Sequence, residues 1–144
     1  MRITVKARYA LRAALALARM EKEYKMVPIS KLSAEEGIST GFLEQIFYNL
    51  KKAGIVQSTR GPNGGFSFIR PHNAINVYDI LNAAGEELVL IPCVDEKVEV
   101  ECERTEFCIS HKVFGPINRM VSDHLKGITI ANLLEDMDCA QFVN

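Results

Sequence analysis

The 144-residue chain has no apolar run approaching the roughly 20 residues that cross a bilayer. The longest clean run, Ala13 to Ala18, is six residues of mostly alanine. Internal repeats and low-complexity segments are absent, and the amino terminus enters a helical pattern almost at once, without an apolar leader core or cleavage site. The expected setting is the cytoplasm. Cysteines number only four, none in the Cys-x2-Cys pairs that structural zinc sites usually present. Nothing resembles a flavin or nucleotide site, which argues against an electron-transfer protein. What is present is a hydrophobic content of 48%, enough for a packed core and too high for a disordered chain. The length suits one ordinary domain, or a small domain with an extension.

The net charge of −1 hides a division. Residues 1–72 hold 12 Lys and Arg against 5 Asp and Glu, while residues 73–144 hold 5 against 13. A basic half suits a polyanion, and the acidic half suits some other task. Chance placement of surface charge is the plain alternative.

Periodicity predicts a helix over about Thr4–Glu23, with Leu11, Ala14, Leu15 and Ala18 on one stripe. Its alanines would let another helix approach closely. A short helix is expected at Ser30–Glu36, with Ser30 as N-cap and Gly37 as stop. Another runs from the capping residue Ser39 to about Ala53, with Ile46, Leu50 and Ala53 on one face and Gly54 ending it. Helix, tight turn, helix is the helix-turn-helix pattern, which alone is weak. Two strands then follow, Ile55–Thr59 and Phe66–Ile69, joined by Arg60-Gly61-Pro62-Asn63-Gly64-Gly65. A helix-turn-helix followed by a glycine-rich hairpin is the winged-helix arrangement. A helix over Val77–Ala84 is expected, capped by Asn76 with Asp79 near its start. Residues 86–107 read as a loop. A long helix over His111–Leu125 carries the apolar stripe Val113, Ile117, Met120, Val121 and Leu125, and a short one begins after Thr129. Pro116 either belongs to the first turn of the long helix or kinks it.

A recognition helix reads base edges with its first two turns. Here these turns carry Ser39, Thr40, Gly41, Glu44 and Gln45. Gln45 can pair with adenine and Glu44 can accept from cytosine N4. Arg60 at the wing base suits a minor groove or a phosphate, with Asn63 at the wing tip. Lys6, Lys51 and Lys52 are less specific phosphate candidates. The plain alternative for each is a solvated surface side chain.

Cys93, Cys102 and Cys108 crowd into sixteen residues, separated by eight and then five residues, and two more lead to His111. In a helix, Cys108 and His111 share a face. Thiolates and imidazole suit iron–sulfur clusters and zinc alike. The long, uneven spacing leans toward a cluster, with zinc and unmetallated redox thiols as alternatives. The segment is acidic, with Glu86, Glu87, Asp95, Glu96, Glu99, Glu101, Glu103 and Glu106. A bound metal would relieve that crowding and order the loop. Cys139, near the tail, reads as a small buried or frayed-end residue.

Together, Met-Arg-Ile-Thr (1–4), Arg8-Tyr9-Ala10, Gly37-Ile38-Ser39, Leu43-Glu44-Gln45, Leu50-Lys51-Lys52-Ala53-Gly54, Arg60 to Gly65 and Cys108-Ile109-Ser110-His111 resemble the IscR/NsrR-type family of bacterial winged-helix transcriptional regulators. The resemblance implies a mainly α fold with a small β-hairpin wing and a long C-terminal dimerisation helix. Residues 1–85 would be the DNA-binding domain, with the first helix also packing in the dimer. Residues 86–110 would be the cluster loop, and 111–144 the dimerisation helix and tail. It implies a homodimer on a palindromic double-stranded operator. It further implies an iron–sulfur cluster on Cys93, Cys102 and Cys108 that senses iron–sulfur status, redox or nitric oxide. In IscR-like members a histidine matching His111 is the fourth ligand, which favours [2Fe–2S] over [4Fe–4S]. Some NsrR-like members use an acidic residue near the N-terminus, where this chain has Arg8. CymR-like members lack the cysteines and sense through partners, so a cluster-independent or zinc-stabilised regulator acting through a protein partner is the alternative. The chain departs from IscR-like members at Gly41, where they carry a hydroxyl, in its longer first cysteine gap, and at Gly115-Pro116.

Overall fold

A computed structural model describes residues 3–94 and 102–141, the side chains of 139–141 excepted. Six helices are described: α1 Val5–Met20, α2 Ile29–Glu36, α3 Thr40–Lys52, α4 Val77–Ala83, α5 Ile109–Gly127 and α6 Ile130–Gln141. Two antiparallel strands, β1 Val56–Thr59 and β2 Gly65–Phe68, lie between α3 and α4. Short 3-10 turns occur at His72–Ala74 and Pro92–Val94. The mainly α, hairpin-winged architecture expected from the sequence is the one observed.

The alanine-rich α1 is the central post. Its Ala7, Ala10, Ala13, Ala14, Ala16, Leu17 and Ala18 are buried. Side chains this small bring α2, α3, α4 and α6 close around one helix, and β2 reaches it as well. The predicted single stripe is therefore too narrow, because packing partners approach from several sides; Leu11 and Leu15 are only half-buried. Thr4 caps the helix, its hydroxyl accepting the Ala7 N–H at 3.2 Å. That hydroxyl also donates to Glu86, whose other carboxylate oxygen accepts the Thr4 N–H at 3.3 Å. Glu86 is buried and ties the start of α1 to the chain just beyond α4, which sets it apart from the rest of the acidic segment.

The predicted N-cap of α2 is corrected. The helix begins at Ile29 and its cap position is Pro28, with φ −64° and no side-chain cap; Ser30 is exposed within the first turn. The reason lies in the preceding residue. Val27 pairs with Phe66 of the hairpin through N–H···O bonds of 2.8 and 2.9 Å, holding the chain extended up to the proline. Gly37 ends α2 in the left-handed conformation at φ 64°, as the sequence predicts. Ser39 caps α3, its hydroxyl accepting the Phe42 N–H at 3.4 Å. Leu43, Ile46, Phe47 and Leu50 form the buried face of α3. Ala53, placed on that face from sequence, is exposed at the C-cap. Complete burial of a Leu, Ile or Phe side chain stabilises by about 1.5–3 kcal/mol.

The hairpin pairs Val56 with Phe68 and Thr59 with Gly65. Phe66 stacks on Phe47 of α3 at 4.6 Å between centroids, and Lys51 of α3 donates to Ser58 of β1 at 2.7 Å. These contacts fix the wing relative to α3. Gly65 is required where Val27 crosses: a Cβ there would lie 2.3 Å from the Val27 carbonyl oxygen.

The linker between α5 and α6 is strapped to the entry of α4. The Val77 N–H donates to Ile128 O and the Ile130 N–H to Ile75 O, each at 2.9 Å. Ile130 is fully buried in the main core. α5 itself packs on α4 and on the Pro92–Val94 turn. It starts two residues before the predicted His111 and runs on through Pro116, which lies beyond the first turn. Only Gly115 and Asn118 of α5 are buried. Ile109, Val113, Phe114, Ile117 and Met120 are exposed, Met120 by 71%. Among the described residues, no helix is long and apolar enough to cross a membrane.

Candidate nucleic-acid interface and cysteine segment

The exposed face of α3 carries every residue singled out there. Thr40, Gly41, Glu44 and Gln45 are all exposed. Ser39 is exposed too, with its hydroxyl engaged in capping. The buried Leu43, Ile46, Phe47 and Leu50 turn this face outward by helical period alone. One open groove runs along it, lined by Lys6, Gly41, Glu44, Gln45, Tyr48 and Asn49. A second lies between the start of α2, Glu44 and the wing, and includes Arg60, Pro62 and Gly64. Glu44 lines both grooves, so it marks the junction of reading helix and wing. Asn63 is exposed in the Gly61–Gly64 turn, closed by a Gly64 N–H···O Gly61 bond of 2.9 Å.

The structure sorts the cations. Arg12 is held by Glu36 at 2.9 Å, Arg19 by Glu35 at 3.3 Å, Arg70 by Asp79 at 3.8 Å and Lys51 by Ser58. Arg12 also donates to the Glu36 carbonyl at 2.9 Å, joining α1 to the end of α2. Lys6, Lys52 and Arg60 are left without a hydrogen-bonded or ion-paired partner among the described residues. Tyr48 and Asn49 escaped the sequence reading, although they continue the Gly41, Glu44, Gln45 face by one further turn.

The cysteines flank α5. Cys93 is half-buried in the Pro92–Val94 turn, and Cys102 is exposed. Cys108 is half-buried at the N-cap of α5 and its side chain makes no capping bond. His111, also half-buried, is the third residue of the helix, where cap and third-residue side chains face each other across the first turn. Val94 approaches α5 from the side: a Cβ on Gly115 would meet its Cγ1 at 3.8 Å. Gly115 lies one turn beyond His111, so the turn bearing Cys93 docks near the cysteine end of α5. The Leu90 N–H reinforces this by donating to the buried Asn118 at 3.0 Å. Asp95, Glu96, Glu99 and Glu101 lie outside the described residues, as does the side chain of Cys139. Among the described residues, no three His, Cys, Asp or Glu side chains are gathered into a metal-holding group. The donor chemistry nonetheless fits an iron–sulfur cluster. Three thiols free of disulfides and one imidazole are the donors such clusters take.

A helix-turn-helix backed by an alanine-rich helix and flanked by a rigid hairpin defines a winged-helix DNA-binding protein. The chain belongs to the Rrf2 family: residues 3–136 match the family described as iron-dependent transcriptional regulators. It is 35% identical over 138 residues to the HTH-type transcriptional regulator IscR of Erwinia tasmaniensis, covering 96% of this chain and 81% of that one. It is 33% identical over 136 residues to IscR of Vibrio cholerae, covering 94% and 76%. The solved structure of T. potens IscR superposes with a TM-score of 0.76 at 26% identity, over 100% of this chain and 93% of that one. CymR of B. subtilis shares the fold, with a TM-score of 0.72 at 24% identity over 92% and 95% of the two chains. The protein is therefore a DNA-binding transcriptional regulator, not an enzyme.

Proposed function

We propose that the protein is a cytoplasmic homodimeric regulator that binds a palindromic operator under the control of an iron–sulfur cluster. In this reading residues 1–85 form the reading head, 86–110 the cluster loop, and 111–144 the dimer helix and tail. Ser39, Thr40, Glu44 and Gln45 face the major groove, while Arg60 and Asn63 of the wing meet the adjacent backbone or minor groove. Cys93, Cys102 and Cys108 are the thiolate ligands and His111 the fourth, with [2Fe–2S] favoured over [4Fe–4S]. The sensed condition is iron–sulfur status, redox or nitric oxide.

The observation that carries the reading is the docking of the Pro92–Val94 turn beside Gly115, one turn from His111. It seats one end of the cysteine segment against α5, about two turns from Cys108 at the other end. When bound, the cluster supplies a tie between these ends. The chain's own residues carry the consequence onward. Glu86 links the same segment to Thr4 at the head of α1, and α1 carries the reading helix. Order gained in the segment thereby biases the reading head, as a ligand must do to shift an equilibrium. The exposed apolar stripe of α5 supports the homodimer, since a patch of this kind is what an isologous interface covers.

Anaerobic purification followed by visible and Mössbauer spectroscopy tests the proposal. A coloured protein with an iron–sulfur spectrum, lost in Cys102→Ser, is expected. A colourless protein with stoichiometric zinc overturns the cluster and favours a zinc-stabilised regulator.

A further inference from the structure

The groove beside the reading helix holds three donors that the base-reading role does not use. Lys6 comes from the first turn of α1, Tyr48 and Asn49 from the third turn of α3. Tyr48 is 67% exposed, a large aromatic side chain left in solvent. None of the three side chains has a hydrogen-bonded or ion-paired partner among the described residues, whereas Arg12, Arg19 and Lys51 do. Glu44, the carboxylate of the same groove, sits one turn before Tyr48 and keeps anions from its own end.

We infer that Lys6, Tyr48 and Asn49 form a phosphate clamp, gripping the DNA backbone where α3 leaves the major groove. Resting on the reading above, this assigns the clamp side chains that carry no sequence information. An ammonium, a phenol O–H and an amide N–H are the side-chain donors that protein–DNA interfaces direct at phosphate oxygens. Gly41 lies on the same face with open space where its side chain would be. The duplex can thus approach the first turn of α3 closely, which brings its flanking strand within reach of the third turn and of α1. The clamp joins two helices that Tyr9 and Phe42 already hold edge to face at 5.7 Å, so the backbone positions that bear its donors are set before DNA arrives.

The test uses full-length protein and a duplex operator selected from a randomised DNA pool. Binding is measured across a salt series for Lys6→Gln, Tyr48→Phe, Glu44→Ala and Arg60→Ala. Lys6→Gln is expected to lower the slope of log affinity against log salt by about one. Tyr48→Phe should weaken binding about tenfold or more on every sequence, as expected for a hydrogen bond to a charged phosphate. Both variants should also erase ethylation interference at one flanking phosphate. Glu44→Ala should instead change sequence preference at unchanged slope. If Lys6→Gln and Tyr48→Phe leave slope and affinity unchanged while Glu44→Ala shifts preference, the clamp is wrong and the reading helix stands. If Tyr48→Phe alters sequence preference, Tyr48 reads a base and the clamp is wrong. If Glu44→Ala and Arg60→Ala both leave binding untouched, the reading fails and takes the clamp with it.

Discussion

The carboxylate of Glu21, at the end of α1, accepts the backbone N–H of Phe68 in β2 at 2.6 Å. Its second oxygen lies 2.7 Å from His72 Nε2, in the turn that follows the wing. One mostly buried side chain therefore holds the base of the hairpin against the central helix. Glu21→Ala removes the acceptor for a backbone N–H and should cost about 1–3 kcal/mol. Native-state hydrogen exchange is the check: the Phe68 amide should exchange faster than in the parent. Glu21→Gln keeps an acceptor and should fall between the two. Unchanged exchange at Phe68 in Glu21→Ala would show that the wing is held by other means.

Gly65 makes a different demand on the same hairpin. Any Cβ there meets the Val27 carbonyl at 2.3 Å and the Pro28 nitrogen at 2.8 Å, all of it backbone. Gly65→Ala must separate Val27 from Phe66, and overpacking of this kind costs about 1–3 kcal/mol or more. Chemical denaturation should show the loss. Gly41→Ala, which lies within α3 and meets nothing within 4 Å, is the matched control and should hold or raise stability, by up to about 1 kcal/mol.

Thr4 and Glu86 act as a unit across 82 residues of sequence. Thr4→Ala removes a helix cap, worth about 1 kcal/mol. It also strips one oxygen of the buried Glu86 carboxylate of its hydroxyl partner, while the backbone N–H of residue 4 remains for the other. A double-mutant cycle with Glu86→Ala should return a coupling of about 0.5–3 kcal/mol. Additive effects would mean that the pair does not tie the cysteine segment to α1.

The proposed dimer rests on a face that contributes little to the fold of one chain. Met120→Asp and Ile117→Asp alter exposed positions, so the isolated chain should keep its helical content. Analytical ultracentrifugation should nevertheless find these variants as monomers under conditions where the parent is a dimer. A dimer that survives both substitutions would place the interface elsewhere.

Local chemistry made much of this molecule legible in its sequence. Ser39 and Asn76 are caps because short polar side chains satisfy the orphan N–H groups of the turn beside them. Gly37 is a stop because it accepts the left-handed conformation. The outward face of α3 follows from the period of Leu43, Ile46, Phe47 and Leu50. For the same reason Glu44 and Gln45 could be named in advance, and Tyr48 and Asn49 could have been by extending that period one turn. The crowding of Cys93, Cys102 and Cys108 needs no fold to be noticed.

Tertiary structure decided what depends on residues far apart in the chain. Pairing of Val27 with Phe66 moved the start of α2 and made Gly65 obligatory, and no local signal encodes that meeting. Burial of Glu86 turned one acid of the crowded cysteine segment into a tether, because Thr4 arrives from the other end of the domain. The unpaired state of Lys6 depends on where Glu35, Glu36 and Ser58 fell, since those residues claimed other cations. Side-chain period and capping act within a few residues, whereas burial and charge pairing are settled only when the helices converge on α1.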